Sequence, residues 1–397
     1  MTSEWMFETL QAIGIFFIIP IFYYIIFYAI LMGYRRVKRE RAQFKARVFD
    51  GYQELRTAFK YSLLVGAALS IVTVTLGMTV SPGVMVITGI LFFLLSFTLQ
   101  YQLLSPAYVL GGAFIIASIL PSFLEEIPVL GFPTEMSSRT LLSYLLLLGL
   151  LLVAEGFFIM KNGAAFTSPL LVKSKRGRMI GVHEVDRLWF FPLILFVPGE
   201  LPAPWEWWPL IPLGSDLFAP VILPIPIGYR RRFQGLLTAV GTQLEGKYVI
   251  LLGLIISGAS FLTYYGAYIS YLIIGAAIIG REAIAWLVRI KDQSKPSLYT
   301  ARNQGLVILS IHPFSPADKL GLKVGEVITK INGHAVQTPE QFYYYLQQNR
   351  AYCKLEVLNL EGEVRFAQRA LYEGEHHELG LLFVEEAKDY EADVGYL

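Results

Sequence analysis

The chain is poor in the residue types that usually carry chemistry. Of its 397 residues one is cysteine, five are histidine and 16% are charged. A lone cysteine, Cys353, makes no internal disulfide and reads as a small packed strand residue. A soluble protein carries about 25% charged residues. That deficit, with 55% hydrophobic residues and a mean hydropathy of +0.52, places most of the chain in lipid. Catalytic motifs are missing too. A metal-dependent intramembrane protease needs His-Glu-x-x-His on one helix face, and His183-Glu184-Val185-Asp186-Arg187 lacks the second histidine. No Gly-x-Ser-x-Gly occurs, around Gly258-Ala259-Ser260 or elsewhere, and no phosphate-binding glycine loop. The other histidines, His312, His334, His376 and His377, fall outside the apolar runs, so no Ser-His-Asp set assembles in the membrane. His376-His377 reads as a surface pair. The expectation is a protein that is not an enzyme, with no cofactor and no metal.

What is abundant is apolar sequence, organised by charge. A helical span needs about 20 apolar residues, and short loops rich in Lys and Arg stay cytoplasmic. Four basic clusters stand out: Arg35, Arg36, Lys38, Arg39, Arg41, Lys45 and Arg47; Lys173, Lys175, Arg176 and Arg178; Arg230, Arg231 and Arg232; and Arg289, Lys291 and Lys295. Acidic stretches alternate with them: Glu4 and Glu8, then Glu125, Glu126 and Glu135, then Glu200 and Glu206. The first run, about Leu10 to Met32, has no small-residue cleavage site and reads as a retained span. Tyr61 to Leu120 is long enough for three spans, breaking near Pro82 and Gln102. Leu141 to Met160 returns inward, and Tyr248 to Val288 is a hairpin of spans turning near Tyr264-Tyr265-Gly266.

Residues 189–229 are the difficult stretch. They hold nine prolines, including Pro192, Pro198, Pro202, Pro204 and Pro209, beside Trp205, Trp207 and Trp208. Proline breaks helical hydrogen bonding, and open backbone in lipid is costly. Two kinked spans or a re-entrant loop both fit. Parity then gives nine or seven crossings, with the amino end outside and the carboxyl end in the cytoplasm. The ionisable residues inside runs, Glu155, Arg281 and Glu282, are costly in lipid. They read as snorkelling or helix-to-helix pairs, or as relays if the protein is a transporter.

The basic segment 35–60 carries Phe44, Val48, Tyr52, Leu55 and Phe59 at helical spacing, with Lys45, Arg47, Glu54 and Arg56 on other faces. This predicts an amphipathic segment lying on an anionic leaflet, through Arg35, Arg36, Lys38, Arg39, Arg41, Lys45 and Arg47. An ordinary topology-setting loop and packed helix is the plainer alternative.

From Tyr299 the character changes. Gly305-Leu306-Val307-Ile308, Ser315-Pro316-Ala317, Gly321-Leu322, Gly325-Glu326-Val327-Ile328 and Ile331-Asn332-Gly333 follow in order. Ser315 and Thr338 are placed as helix caps, each followed by proline, and Asn332-Gly333 signals a tight hairpin. Strands are expected over Leu306 to Ile311, Leu355 to Leu358, Val364 to Phe366 and Leu379 to Val384. The pattern resembles a PDZ domain of the permuted bacterial type. The layout is therefore a membrane domain over 1–290, a linker over 291–298, a PDZ domain over 299–385 and an acidic, solubilising tail over 386–397. The fold class is a polytopic α-helical membrane domain followed by a small, mostly β, α/β module.

A PDZ domain binds by adding a ligand strand to a sheet edge, with a glycine loop receiving a terminal carboxylate. Leu379-Gly380-Leu381-Leu382-Phe383 resembles that loop, with leucine at the second glycine. Internal-strand recognition, or closure by the acidic tail, stays open beside carboxylate capture. Phe342, Tyr343, Tyr345 and Leu346 would wall the groove, at a spacing that also describes a core face. Gly305, Leu306 and Val307 form the alternative loop.

The whole plan resembles the MinJ family of cell-division topological determinants of rod-shaped Gram-positive bacteria. Chain length, many spans without protease motifs, the Arg35 to Arg47 cluster and one terminal PDZ module carry the resemblance. It implies a non-enzymatic adaptor at septum and poles, linking a DivIVA-like scaffold to a MinD-like ATPase and its MinC inhibitor partner, among divisome membrane proteins, with membrane lipids and no nucleic acid as further partners. Two other readings stay open: a PDZ-containing regulatory partner of a membrane protease, and a transporter with a PDZ sensor.

Overall fold

The computed structural model describes residues 2–60, 62–119, 137–174, 177–205, 207–210, 217–302, 304–349, 351–372 and 379–384. The Glu125 to Glu135 loop, Lys175, Arg176, Glu206, His376, His377 and the acidic tail lie outside them. Helices α1 (Thr2–Ile18) and α2 (Pro20–Phe44) form one apolar pair bent by 42°. Pro20 sets the bend, since it opens a helix readily but cannot donate inside one. Next come α3 (Gln53–Lys60), α4 (Ser62–Leu76), α5 (Pro82–Ser96), α6 (Pro106–Ile119) and α7 (Ser138–Asn162). A single turn of 3-10 helix, Tyr101–Leu104, separates α5 from α6, so the breaks fall near Pro82 and Gln102. Later, α8 (Thr238–Ala259) continues as a 3-10 turn to Tyr265 and is followed by α9 (Ile269–Gln293).

Between α7 and α8 the structure departs from expectation. Residues 189–229 form neither kinked spans nor a re-entrant loop. They belong to a β-hairpin of β2 (Met179–Pro202) and β3 (Leu217–Phe233), with a short β1 (Ser168–Lys173) beside its base. Odd-numbered residues such as Trp189, Phe191, Leu193, Leu195, Ile227 and Tyr229 pack against the leucines of α7. On the other face Leu188 and Phe190 meet Ile25, Tyr28, Phe92 and Tyr101. Both faces are covered, so the strands are nearly continuously apolar and mimic a span in sequence.

A hairpin packed among apolar helices must still satisfy its open edges. Helix α4 does this for β2. Its buried stripe is Ser62, Gly66, Ser70 and Thr73. Phe190 N donates to Ser62 Oγ at 3.4 Å, Ile194 N to Ser70 Oγ at 3.1 Å, and Thr73 Oγ1 to Ile194 O at 2.6 Å. Phe196 is bonded on both backbone groups, to Met78 O and Val80 N. Even-numbered residues thus point out of the ladder, and Pro192, Pro198, Pro220, Pro224 and Pro226 all share that register. Each proline removes a donor that no neighbouring strand could satisfy. Gly66 permits the close approach, because a Cβ there would lie 2.8 Å from Pro192 O.

Counting the bent α1–α2 pair and α3–α4 as one pass each, with α5, α6, α7, β2, β3, α8 and α9, the described chain runs between the two ends of this body nine times. Seven passes are helical and two are strands. Helices α5 and α6 are short, 15 and 14 residues, or roughly 22 Å each at 1.5 Å per residue. Trp5 meets Trp208 near the hairpin tip with ring centroids 5.9 Å apart. The amino-terminal end therefore lies opposite the end that carries Arg230 to Arg232. The helices α7 and α8 pack through glycines: a Cβ on Gly156 would lie 2.7 Å from Gly246 O, and one on Gly253 2.7 Å from Gly149 O.

The carboxyl-terminal module contains β4 (Leu306–Ile311), α10 (Pro316–Lys319), β5 (Val327–Ile331), β6 (His334–Ala335), α11 (Pro339–Gln348), β7 (Tyr352–Leu358), β8 (Val364–Ala370) and β9 (Leu381–Phe383). Its sheet order is β8-β7-β5-β4-β9, with β6 paired to β5. Asn332 and Gly333 both have positive φ, as the tight β5–β6 turn requires. Helix α9 runs to Gln293, so only residues 294–298 of the expected linker are non-helical.

Candidate functional site

The module offers one free strand edge beside a helix. Strand β9 ends the sheet and pairs only with β4 among the described residues. Helix α11 lies next to it: the Phe342 and Phe383 rings are 5.3 Å apart. Thr338 caps α11 through Gln341 N, and Ser315 caps α10 through Asp318 N. Gly380, at φ +78°, fits the turn entering β9, where a Cβ would come 2.5 Å from Ser315 Cβ. Leu379, Leu381, Phe383, Phe342 and Leu346 are all core residues. Leu382 is half-buried and by strand alternation shares the face of Val384, away from α11, whereas Leu381 and Phe383 face α11; Tyr345, also half-buried, stacks on His334 at 4.4 Å. Gly305, Leu306 and Val307 open β4, which is flanked by β5 and β9. Leu306 and Val307 pair with Ile328 and Val327 of β5, and Leu306 shares the core of Phe342 and Leu346. Cys353 is buried in the core, which pushes its thiol up to about 12.

The opposite face of this sheet is docked on the membrane domain, a contact that no sequence motif announced. Tyr299, Val307, Leu309, Val327 and Val384 pack with Phe44 and Leu171. Gly181 N donates to Tyr299 O at 2.7 Å. A Cβ on Gly181 would lie 2.5 Å from Leu309 Cδ1. His183 bridges the joint: Nε2 is 2.8 Å from Leu309 O and Nδ1 is 2.8 Å from Thr167 Oγ1. Burial pushes its imidazole down to about 4, and the hydrogen bond to Leu309 opposes that only in part. His183-Glu184 is thus a structural pair at a domain joint. The only hint in the sequence was a glycine and a histidine inside an otherwise apolar and charged run.

The first basic cluster divides in two. Arg36 is buried between Glu54 (2.6 Å) and Glu40 (2.9 Å), and Arg39 pairs with Glu184. Lys38, Arg41, Lys45 and Arg47 are exposed, and Arg35 is half-buried. The continuous amphipathic helix expected from Phe44 to Phe59 is interrupted. Lys45 is left-handed at φ +56°, ending α2, and the chain restarts at Gln53. Glu40 holds the break by accepting from Val48 N at 2.8 Å.

Within the membrane body Glu155 accepts from Ser105 (2.6 Å) and Arg281 (2.9 Å), and Arg281 also reaches Glu245 (3.1 Å). Arg231 pairs with the same Glu245 at 2.6 Å, and Tyr229 donates to it at 2.8 Å. Glu282 accepts from Tyr108 at 2.8 Å. These charges are paired across α7, α8, α9 and β3.

A multi-pass membrane body bearing one docked PDZ module defines the class, a membrane-anchored PDZ protein. The PDZ domain family matches residues 307–358. The chain is similar to the cell division topological determinant MinJ of Bacillus subtilis (strain 168), 36% identical over 99% of both chains. It is similar to a probable cell division topological determinant MinJ of Lacticaseibacillus paracasei, 25% identical over 88% of this chain and 92% of that one. The chain belongs to the MinJ family.

Proposed function

We propose that this protein is a non-enzymatic, membrane-anchored adaptor of division-site selection. The observation that carries the reading is the 36% identity to a cell division topological determinant across 99% of both chains, membrane body and PDZ module alike. In this reading the PDZ end faces the cytoplasm, since the clusters at Arg35 to Arg47 and Arg230 to Arg232 share that end. A DivIVA-like scaffold at septum and poles and a MinD-like ATPase, with its MinC inhibitor, are the partners. The groove between β9 and α11 receives an extended segment of one of them, with Leu381 and Phe383 on its strand wall and Tyr345 on its helix wall. Many passes confine the groove to the bilayer, which raises the effective concentration of weak contacts there. The pairing of Glu155 with Arg281 supports a structural role for these charges over a transporter relay.

The test is live-cell imaging of an internally tagged fluorescent fusion, with cell length scored on depletion. Enrichment at septa and poles with elongated or minicell-producing cells is expected. A uniform membrane signal with normal cell length sinks the reading.

A further inference from the structure

We propose that the arginines at the base of the hairpin form a site for the phosphodiester of an anionic phospholipid headgroup. A cavity of about 440 Å³ opens between β3, α9 and the turn preceding α6, walled by Arg230, Arg232, Arg289, Gln100, Gln234 and Gln293. A smaller adjoining hollow shares Gln102, Arg231 and Arg289 and adds Trp286. The nearby carboxylates are all engaged, some with the cavity's own arginines: Asp186 pairs with Arg230, and Glu282, in the wall of the smaller hollow, accepts from Tyr108. Glu184 serves Arg39, Arg230 and Arg232 together. Asp292, the acid in the wall, accepts from the backbone N–H groups of Gln234, Gly235 and Leu236. Arg232 is 53% exposed and engages Glu184 through Nε alone. Arg289 is exposed and, among the described residues, has neither an ion pair nor a hydrogen bond. The guanidinium ends of Arg232 and Arg289 are thus left available at the cavity, while Arg230 and Arg231 are held by carboxylates, and such forks match a phosphate geometrically.

The setting selects a lipid. Trp286, Leu287 and Ile290 on the same turns of α9 are exposed apolar side chains, and α9 is long and apolar enough to cross a membrane. The cavity therefore sits where the apolar surface ends and charge begins, the depth of headgroups. Basic pockets between spans at that depth bind anionic headgroups. The site is separate from the exposed lysines and arginines of α2 and independent of the PDZ groove.

Native mass spectrometry of the full chain, purified with equal amounts of phosphatidylglycerol and phosphatidylcholine, tests this. Preferential retention of phosphatidylglycerol is expected. Arg232→Gln with Arg289→Gln should lower it roughly tenfold or more, whereas Lys323→Gln with Lys354→Gln, exposed on the PDZ module, leaves it unchanged. Arg289→Gln alone, at an exposed and unpaired residue, keeps the fold and should still lower retention severalfold. Equal retention of both lipids, or undiminished retention in the two arginine variants, overturns the proposal. Displacement of the lipid by millimolar inorganic phosphate would mark a small-anion site and overturn the lipid assignment.

Discussion

His183 places a titratable ring at the joint between two domains. Undocked, an imidazole titrates near 6.5; docked, this one titrates near 4. Above pH 6.5 the ring is neutral in both states and the joint keeps its full strength. As pH falls from 6.5 towards 4 the undocked form takes up a proton that the docked form refuses, and docking weakens by up to roughly 3 kcal/mol. The facing groups are Thr167, Tyr299 and the Leu309 carbonyl, none of which offers a charge to hold an imidazolium. Hydrogen exchange of the 299–309 backbone should therefore quicken between pH 7 and pH 5. Exchange that is flat after correction for intrinsic rates would remove His183 from this role.

At the scale of the element, the hairpin depends on a helix with hydroxyls on one face. Ser70 and Thr73 saturate both backbone groups of Ile194, and a buried backbone group left unpaired costs about 1–3 kcal/mol. Ser70→Ala and Thr73→Val should each lower thermal stability in detergent by that order. Ser70→Thr, which keeps the hydroxyl, should lower it less. If the three variants melt together with the parent, β2 satisfies its edge in some other way. The prolines of β3 do the converse work, deleting donors rather than supplying acceptors.

Across the whole molecule, Arg281 ties three helices and the sheet together through Glu155 and Glu245. Removing one partner from a buried charge cluster costs about 3–5 kcal/mol, because the others are left uncompensated. Arg281→Ala should therefore reduce membrane-inserted, folded protein sharply, while Glu155→Gln, which keeps hydrogen-bonding capacity, should be milder. Fluorescence-detected size exclusion of the two variants distinguishes them. Similar monodisperse yields would mean that the cluster does not hold the bundle.

That the chain carries several apolar helices long enough to cross a membrane, followed by a PDZ domain, was legible in the sequence. Long apolar runs, basic clusters and turn glycines are local signals, and each reports a local free energy. Pro82, Gln102 and Tyr264-Tyr265-Gly266 marked helix breaks for the same reason, and Asn332-Gly333 marked its turn. The β-hairpin was not legible, because a strand covered on both faces loses the alternation that distinguishes it from a span. Its prolines signalled broken helix correctly, but only the register shows that all five point away from the ladder. Tertiary structure alone decided that Arg36 and Arg39 are spent on carboxylates while Lys38 and Arg41 stay exposed. It also decided that His183 meets Leu309, 126 residues away. Such pairings depend on packing between distant segments, and no local pattern encodes the distance between them.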